Sequence, residues 1–165
     1  MSNFLIPVSI KEFRENVTIR FNNINDGFNN YLNKTIDGEE EDLIKFIEEA
    51  LIINGEDNSY VDFYYNVLEE EDKKRLKALI SDEDRLALEA FEKEYTEKNI
   101  YFKLTKESVP FITKLSTREI LFSTIYFTKY PCTIWGNYNR RFPIFYKEEN
   151  ILKDYINIAK NLEIL

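Results

Sequence analysis

The chain has 165 residues, with 30 acids, 22 bases, no histidine and a single cysteine. The absence of histidine excludes a nucleophile activated by imidazole and a histidine metal ligand. One cysteine forms neither an internal disulfide nor a zinc–thiolate site. We therefore expect no cofactor and no metal, and we expect a reducing compartment in which Cys132 is a buried structural residue.

The composition is that of a soluble, folded protein with one domain over residues 1–165. Hydrophobic residues make up 44% of the chain and charged residues 32%, and the four glycines and four prolines are too few for a turn-rich β-sandwich. No run of 18 apolar residues is present, and the six residues before Pro7 lack the basic and apolar regions of a signal peptide. These features predict a cytoplasmic protein without membrane contact.

The first part of the chain shows helical periodicity. Ser9 and Glu12 form a capping box, and the apolar residues after it recur at steps of three and four, which predicts an amphipathic helix over about residues 10–33. A second helix is predicted over residues 39–54, because four acids at its start complement the helix dipole and an Asn-Gly pair ends it.

Further helices complete a predicted helical layer over residues 1–98. Ser59 and Asp62 repeat the capping arrangement ahead of a short helix, and residues 69–79 either continue that helix or form another. Ser81, followed by three acids, caps one more helix.

Strand signals follow after this layer. Residues 100–104 alternate between apolar and polar, as a strand does. Between residues 117 and 128 periodicity does not separate a helix from a strand, and we favour a short helix, begun by a capping box at Ser116, that leads into a strand. Residues 132–135 and 142–146 predict a hairpin.

The fold class expected from these elements is α+β, predominantly helical, with a small antiparallel sheet or hairpin in the C-terminal half. The helical layer is followed by a strand-containing segment over residues 99–147 and a C-terminal segment over residues 148–165. The apolar stripe of the last segment predicts an amphipathic helix over about residues 148–163.

Charge is distributed unevenly along the chain. Residues 37–97 hold 21 acids and 7 bases, a balance of −14, whereas the remaining residues hold 9 acids and 15 bases, a balance of +6. Residues 122–147 contain four bases, eight or more aromatic residues and no acid. The sequence therefore predicts a polarised molecule with an acidic helical part and a mildly basic, aromatic-rich part.

The acidic part suggests the first functional hypothesis, a non-catalytic module that binds a basic protein partner such as a nucleic-acid enzyme. Small bacterial immunity proteins and phage-encoded nuclease inhibitors share this composition, although no motif of either is present. Solvated helix starts would give the same acid runs. The acids predicted to face the partner are Glu39, Glu40, Asp42, Glu69, Glu70, Asp72, Asp82 and Glu83.

The basic, aromatic part suggests an alternative, a binder of nucleic acid or of a nucleotide metabolite. Basic side chains beside aromatic rings hold phosphates and stack on bases, although the same aromatics could simply form the core. The candidate ligand-binding residues are Lys129, Trp135, Tyr138, Arg140, Arg141 and Lys147.

A carboxylate-dependent enzyme is the third hypothesis. Paired acids catalyse glycoside and metal-assisted phosphodiester hydrolysis, but 30 acids create pairs by chance in many places. No phosphate-binding loop is present, because the four glycines are isolated from one another. No catalytic residue is therefore predicted.

Overall fold

The computed structural model describes residues 4–165, and a seven-stranded antiparallel sheet is its central feature. Along the sheet the strands follow the order β1-β4-β3-β5-β6-β7-β2. The strands are β1 (Leu5–Pro7), β2 (Leu32–Asp37), β3 (Ser59–Asp62), β4 (Tyr101–Leu104), β5 (Thr124–Phe127), β6 (Cys132–Trp135) and β7 (Arg141–Tyr146).

Seven α-helices and three short 3-10 helices connect these strands within residues 4–165. The α-helices are α1 (Ile10–Asn16), α2 (Ile24–Asn30), α3 (Glu40–Asn54), α4 (Glu70–Leu79), α5 (Asp82–Glu94), α6 (Ser108–Thr117) and α7 (Glu149–Asn161). The 3-10 helices are Glu56–Asn58, Tyr65–Val67 and Tyr138–Arg140. No helix in this part of the chain has the length and apolar character needed to cross a bilayer.

The prediction of a small sheet or hairpin confined to the C-terminal half is wrong. Three of the seven strands, β1, β2 and β3, lie within residues 1–98, which were predicted to form a helical layer. β1 is too short to show a period, and β3 is buried on both faces, so neither strand alternates in hydrophobicity. The supposed cap residue Asp62 instead accepts a hydrogen bond from the backbone of β5.

The predicted helix over residues 10–33 is also wrong, because it is two short helices followed by a strand. The side chain of Ser9 caps α1 as predicted, but the helix ends at Asn16, after which Val17 is extended. The side chain of Asn23 then caps α2. The apolar residues of this stretch pack along the sheet rather than along one helix axis, so tertiary contacts override the helical period.

Predictions in the C-terminal half fared better. The strand at 100–104, the hairpin of β6 and β7 and the C-terminal helix α7 are confirmed, as is a strand near residue 124. The helix expected to begin at Ser116 is wrong: α6 ends at Thr117, and the Ser116 hydroxyl accepts a hydrogen bond from the backbone N–H of Ser123.

One face of the sheet, here called the helix-covered face, carries the main core. Alternate residues of the central strands point into it and contact α3, α4, α5, α6 and α7. Cys132 is buried there, as predicted, and its burial raises the pKa of the thiol, so the thiolate needed for reactivity is suppressed. The strand residues of this core include Val61, Phe102, Leu104, Ile125, Ile134 and Ile144.

The opposite face, here called the strap face, is crossed by residues 8–31, here called the strap. β1 and β2 occupy opposite edges of the sheet, so the strap between them spans six strand spacings, about 29 Å. A smaller cluster forms beneath it from Val8, Phe13, Val17, Tyr60 and Tyr126. Because 24 residues with two short helices cannot cover the whole face, part of it stays open.

Candidate functional site

The open part of the strap face forms a cleft with two adjoining cavities of about 430 and 240 Å3. The first, the outer cavity, lies along the strap, and the second, the inner cavity, lies over β3, β5 and β6. Four residues line both cavities, so the two cavities adjoin, and we describe them together as the cleft. These shared residues are Phe21, Asn22, Tyr101 and Tyr126.

Aromatic rings form the walls of the cleft. Phe13 stacks on Tyr101 with ring centroids 3.8 Å apart and planes 10° from parallel, and it forms a T-shaped contact with Tyr126 with centroids 4.9 Å apart. On the other side Phe21 stacks on Trp135 with centroids 5.5 Å apart. These mutual contacts hold the rings in place, so their remaining faces are preorganised for a planar ligand.

Among the contacts that hold the strap over the sheet are a buried hydrogen bond and a close approach of helix α2. The Thr133 hydroxyl donates to the carbonyl of Ile19 at 2.7 Å. In α2, a Cβ at Gly27 would lie 2.9 Å from the Phe21 ring and 3.1 Å from the Phe145 ring. A residue larger than glycine would therefore displace the aromatic wall.

Asp62, the last residue of β3, lies at the floor of the inner cavity with 5% of its surface exposed. Its Oδ1 accepts the backbone N–H of Thr124 at 2.7 Å, and its Oδ2 accepts the Tyr126 hydroxyl at 3.1 Å. Burial raises the pKa of Asp62 to about 7, against the opposing effect of these hydrogen bonds. A carboxyl group that titrates near neutrality is typical of functional sites.

Two more tyrosines surround this carboxyl group. Burial raises the pKa of Tyr64 to about 12, and the nearby Asp62 adds to this effect. Burial and Asp62 likewise raise the pKa of Tyr101, while Arg14 and Arg20 act on it in the opposite direction. The hydroxyl of Tyr101 is therefore within electrostatic range of both the Asp62 carboxyl group and the guanidinium groups of Arg14 and Arg20.

Arg14 and Arg20 stand apart from the other arginines. The chain has seven arginines, and within residues 4–165 the other five each form an ion pair with an acid. Arg14 and Arg20 have no such pair in the described residues, although the chain has an excess of eight acids, and both line the outer cavity. Two guanidinium groups left without a carboxylate beside a cleft suit an anionic ligand.

The acids predicted to face a partner are divided among three helices. They lie at the starts of α3, α4 and α5, and several are neutralised locally. Glu39 pairs with Arg140 at 2.6 Å, and Glu40 pairs with Arg118 at 2.9 Å, which lowers the pKa of Glu40. The other local pairs are Glu70–Lys73, Asp72–Arg75 and Asp82–Arg85, whereas Asp42, Glu69 and Glu83 have no ion pair in residues 4–165.

Of the six residues of the predicted basic, aromatic binding site, only Trp135 lines the cleft. Arg140 and Arg141 pair with Glu39 and Asp37. Tyr138 packs its ring edge on Phe122 at 4.7 Å. The remaining two cations lie over tyrosine rings: Lys129 over Tyr130 and Lys147 over Tyr31, an outer-cavity residue.

Sequence reasoning missed the central residues of the cleft. Asp62 carried a signal, since it is the only acid in the run from Ser59 to Tyr65, but a capping role explained it equally well. No signal in the sequence marked Arg14 and Arg20, because the predicted helix placed them among ordinary solvent-facing residues.

Within residues 4–165 no group of three histidine, cysteine, aspartate or glutamate side chains is placed to hold a metal ion. Comparison of the chain with protein-family models, with curated proteins and with solved structures gave no match. The function is therefore argued from the cleft itself.

Proposed function

We propose that the cleft binds a small ligand that combines a planar ring with an anionic group, of the nucleotide class. The observation that carries this proposal is the placement of Arg14 and Arg20. They are the two arginines without an ion pair in the described part of the chain, and both line one aromatic-walled cavity.

The anionic group is assigned to the outer cavity. Guanidinium groups bind phosphate and carboxylate through paired N–H donors, which gives both charge and geometry. Asn22 and Asn30 line the same cavity and supply further polar contacts. Asp26 also lines it, so the anion is expected nearer to Arg14 and Arg20 than to this carboxylate.

The planar ring is assigned to the inner cavity, between the rings of Trp135, Phe122 and Tyr101. Stacking of a base on an aromatic side chain contributes about 1–3 kcal/mol. The two cavities together fall in the size range of small-molecule sites, roughly 300–1,000 Å3.

The net charge of −8 does not oppose this assignment, because most of the acids lie outside the cleft, which is lined by Asp26 and Asp62. α3, α4 and α5, which carry the acid runs, belong to the helix-covered face. Residues 8–36, which include the strap, hold three acids and four bases. The local field at the cleft is thus set mainly by its own residues, since salt screens more distant charges.

A titration of the intrinsic fluorescence tests the proposal, because Trp135 is the only tryptophan and lies in the cleft wall. We expect AMP, GMP, CMP or UMP to change its emission saturably. The double substitution Arg14→Gln and Arg20→Gln is expected to weaken that binding about tenfold or more, because both anion contacts are lost.

The matched control is the double substitution Arg75→Gln and Arg85→Gln, which removes the same charge from α4 and α5. We expect it to leave nucleotide binding unchanged. Either the absence of saturable binding by all four nucleotides, or equal weakening by both double variants, would contradict the proposal. A short single-stranded oligonucleotide that binds no more tightly than the mononucleotide would set the ligand size at one nucleotide.

A second candidate function, binding of a basic protein partner, is favoured by exposed leucines among the acids of α4 and α5. Leu79 is 56% exposed and Leu86 is 67% exposed, beside the acid run at 82–84. Exposed apolar side chains rimmed by charge are typical of protein-binding surfaces. This is the inhibitor or immunity-type hypothesis of the sequence, and the two exposed leucines support α4 and α5 as its binding surface.

Affinity capture at low and high salt tests this second candidate. We expect a salt-sensitive partner to be retained by the unmodified chain and lost on Leu79→Ser with Leu86→Ser. The control Ile52→Ser changes an equally exposed apolar residue on α3, 76% exposed, and is expected to retain the partner. Equal loss with the control, or no salt-sensitive partner at all, would reject the hypothesis.

A further inference from the structure

The inner cavity has a property that bears on which ring it accepts. Asp62 is the acidic side chain that lines it, and within residues 4–165 no lysine or arginine forms an ion pair with Asp62. A buried carboxylate without a cation is costly unless hydrogen-bond donors surround it. The chain provides donors from Thr124 and Tyr126.

The acceptor capacity of Asp62 is only partly used by these donors. Above about pH 7 the carboxyl group of Asp62 is mostly ionised and has about four lone-pair sites, and Thr124 and Tyr126 together do not fill them. Because the residue lines the cavity, a ligand atom that sits over β3 can reach it. A donor on the ligand would offset the cost of the buried charge, whereas an acceptor would be repelled.

We propose that Asp62 selects ligands whose ring carries an amino group, as in adenine, guanine or cytosine, by accepting a hydrogen bond from that group. This inference rests on the proposed binding of nucleotides and adds the ring chemistry. The selectivity arises because the buried acceptor is left without a partner when the amino group is absent.

The test uses three pairs of ligands that differ by one amino group. They are AMP and purine riboside 5′-monophosphate, GMP and IMP, and CMP and its 2-pyrimidinone analogue. We expect at least one amino-bearing ligand to bind about tenfold or more tightly than its partner, with the Trp135 emission as the readout.

Substitutions at the floor of the inner cavity assign the discrimination to Asp62. Asp62→Leu is expected to abolish it and Asp62→Asn to reduce it, because the amide oxygen is a weaker, uncharged acceptor. Tyr146→Phe removes a hydroxyl on the helix-covered face, outside both cavities, and is expected to keep the discrimination. Thermal unfolding of each variant checks that it is folded, and Asp62→Asn serves where Asp62→Leu does not fold.

Two failures can be told apart. Equal affinity within all three pairs, with binding that still depends on Arg14 and Arg20, overturns the role of Asp62 and leaves nucleotide binding intact. Discrimination that persists in both Asp62 variants also overturns the role of Asp62. Absence of saturable binding by all six ligands overturns the proposed function and this inference together.

Discussion

The two faces of the sheet differ in chemistry and in how completely they are filled. The helix-covered face is packed with aliphatic, phenylalanine and tyrosine side chains that are almost fully buried, such as Val61, Phe102 and Tyr155. The strap face carries tyrosines, a tryptophan, the buried carboxyl group of Asp62 and two cavities. Dense apolar packing stabilises a fold, whereas cavities and buried acids cost stability and are retained where they bind ligands. The difference places most of the stabilising packing on one face and the proposed binding site on the other.

The largest expected effect is on the helix-covered face. Phe102→Ala should lower the free energy of unfolding by about 3–5 kcal/mol, because its ring is fully buried against Phe63 and Phe91. Phe21→Ala, at the half-buried cleft wall, should lower the free energy of unfolding by roughly half as much. It should also weaken nucleotide binding. Urea denaturation of both variants measures the difference, and equal destabilisation would remove the distinction between the faces.

The next largest effect concerns Asp62 and depends on pH. A carboxyl group whose pKa is raised on folding is protonated in the folded state while it is already ionised in the unfolded state. Stability is therefore lost as the pH rises from about 4 to about 7. Asp62→Asn removes this pH-dependent loss. The free energy of unfolding of the variant, relative to that of the unmodified protein, should therefore rise across this pH range by at most about 4 kcal/mol.

Thermal and urea unfolding at pH 4.5 and pH 8 measure this gain. Taking the difference between variant and parent removes the contribution of the other acids, which titrate in both proteins. A stability difference that is the same at both pH values would show that the pKa of Asp62 is not raised.

A smaller effect is expected where the strap meets the sheet. Gly27→Ala should destabilise the fold by about 1–3 kcal/mol, because the new methyl group would press on Phe21 and Phe145. The shift of Phe21 should also change the Trp135 emission, since the two rings are stacked. Asn29→Ala, an exposed position of the same helix, is the control, and similar results from both would mean that the strap tolerates displacement.

The smallest effect is expected from surface ion pairs of the helix-covered side. Arg75→Gln with Arg85→Gln breaks two exposed pairs within α4 and α5, and each such pair contributes about 1 kcal/mol or less. Unfolding in 0.05 M and 0.5 M salt should give nearly the same value for variant and parent. A loss of several kcal/mol would show that these helices depend on charge rather than on their buried leucines.

Periodic, locally encoded elements of this fold could be predicted from the sequence. α7 has a continuous apolar stripe, and the β6–β7 hairpin consists of two apolar runs joined by a polar loop. The cap at Ser9 was also correct because its hydrogen bond is local. Such features depend on neighbours within a few residues, so one sequence suffices.

The other parts of the fold and the cleft residues depend on partners that are distant in the sequence. β3 is recognisable only beside β4 and β5, because both of its faces are buried and its four residues show no alternation. The state of Asp62 depends on Thr124 and Tyr126, more than 60 residues away. Whether Arg14 and Arg20 find an acid is likewise decided by tertiary position, since neither has an acid three or four residues away in the sequence.

The strand order also bears on the sequence of events during synthesis. Both edge strands come from the first 37 residues, yet β1 pairs with residues 102–104 and β2 with residues 141–146. As the chain emerges from the ribosome, the edge strands remain unpaired until their neighbours have been synthesised. β2 acquires its neighbour only after residue 146 has been made. Such distant pairing is typical of slow folding, so the strap and its cleft are completed late.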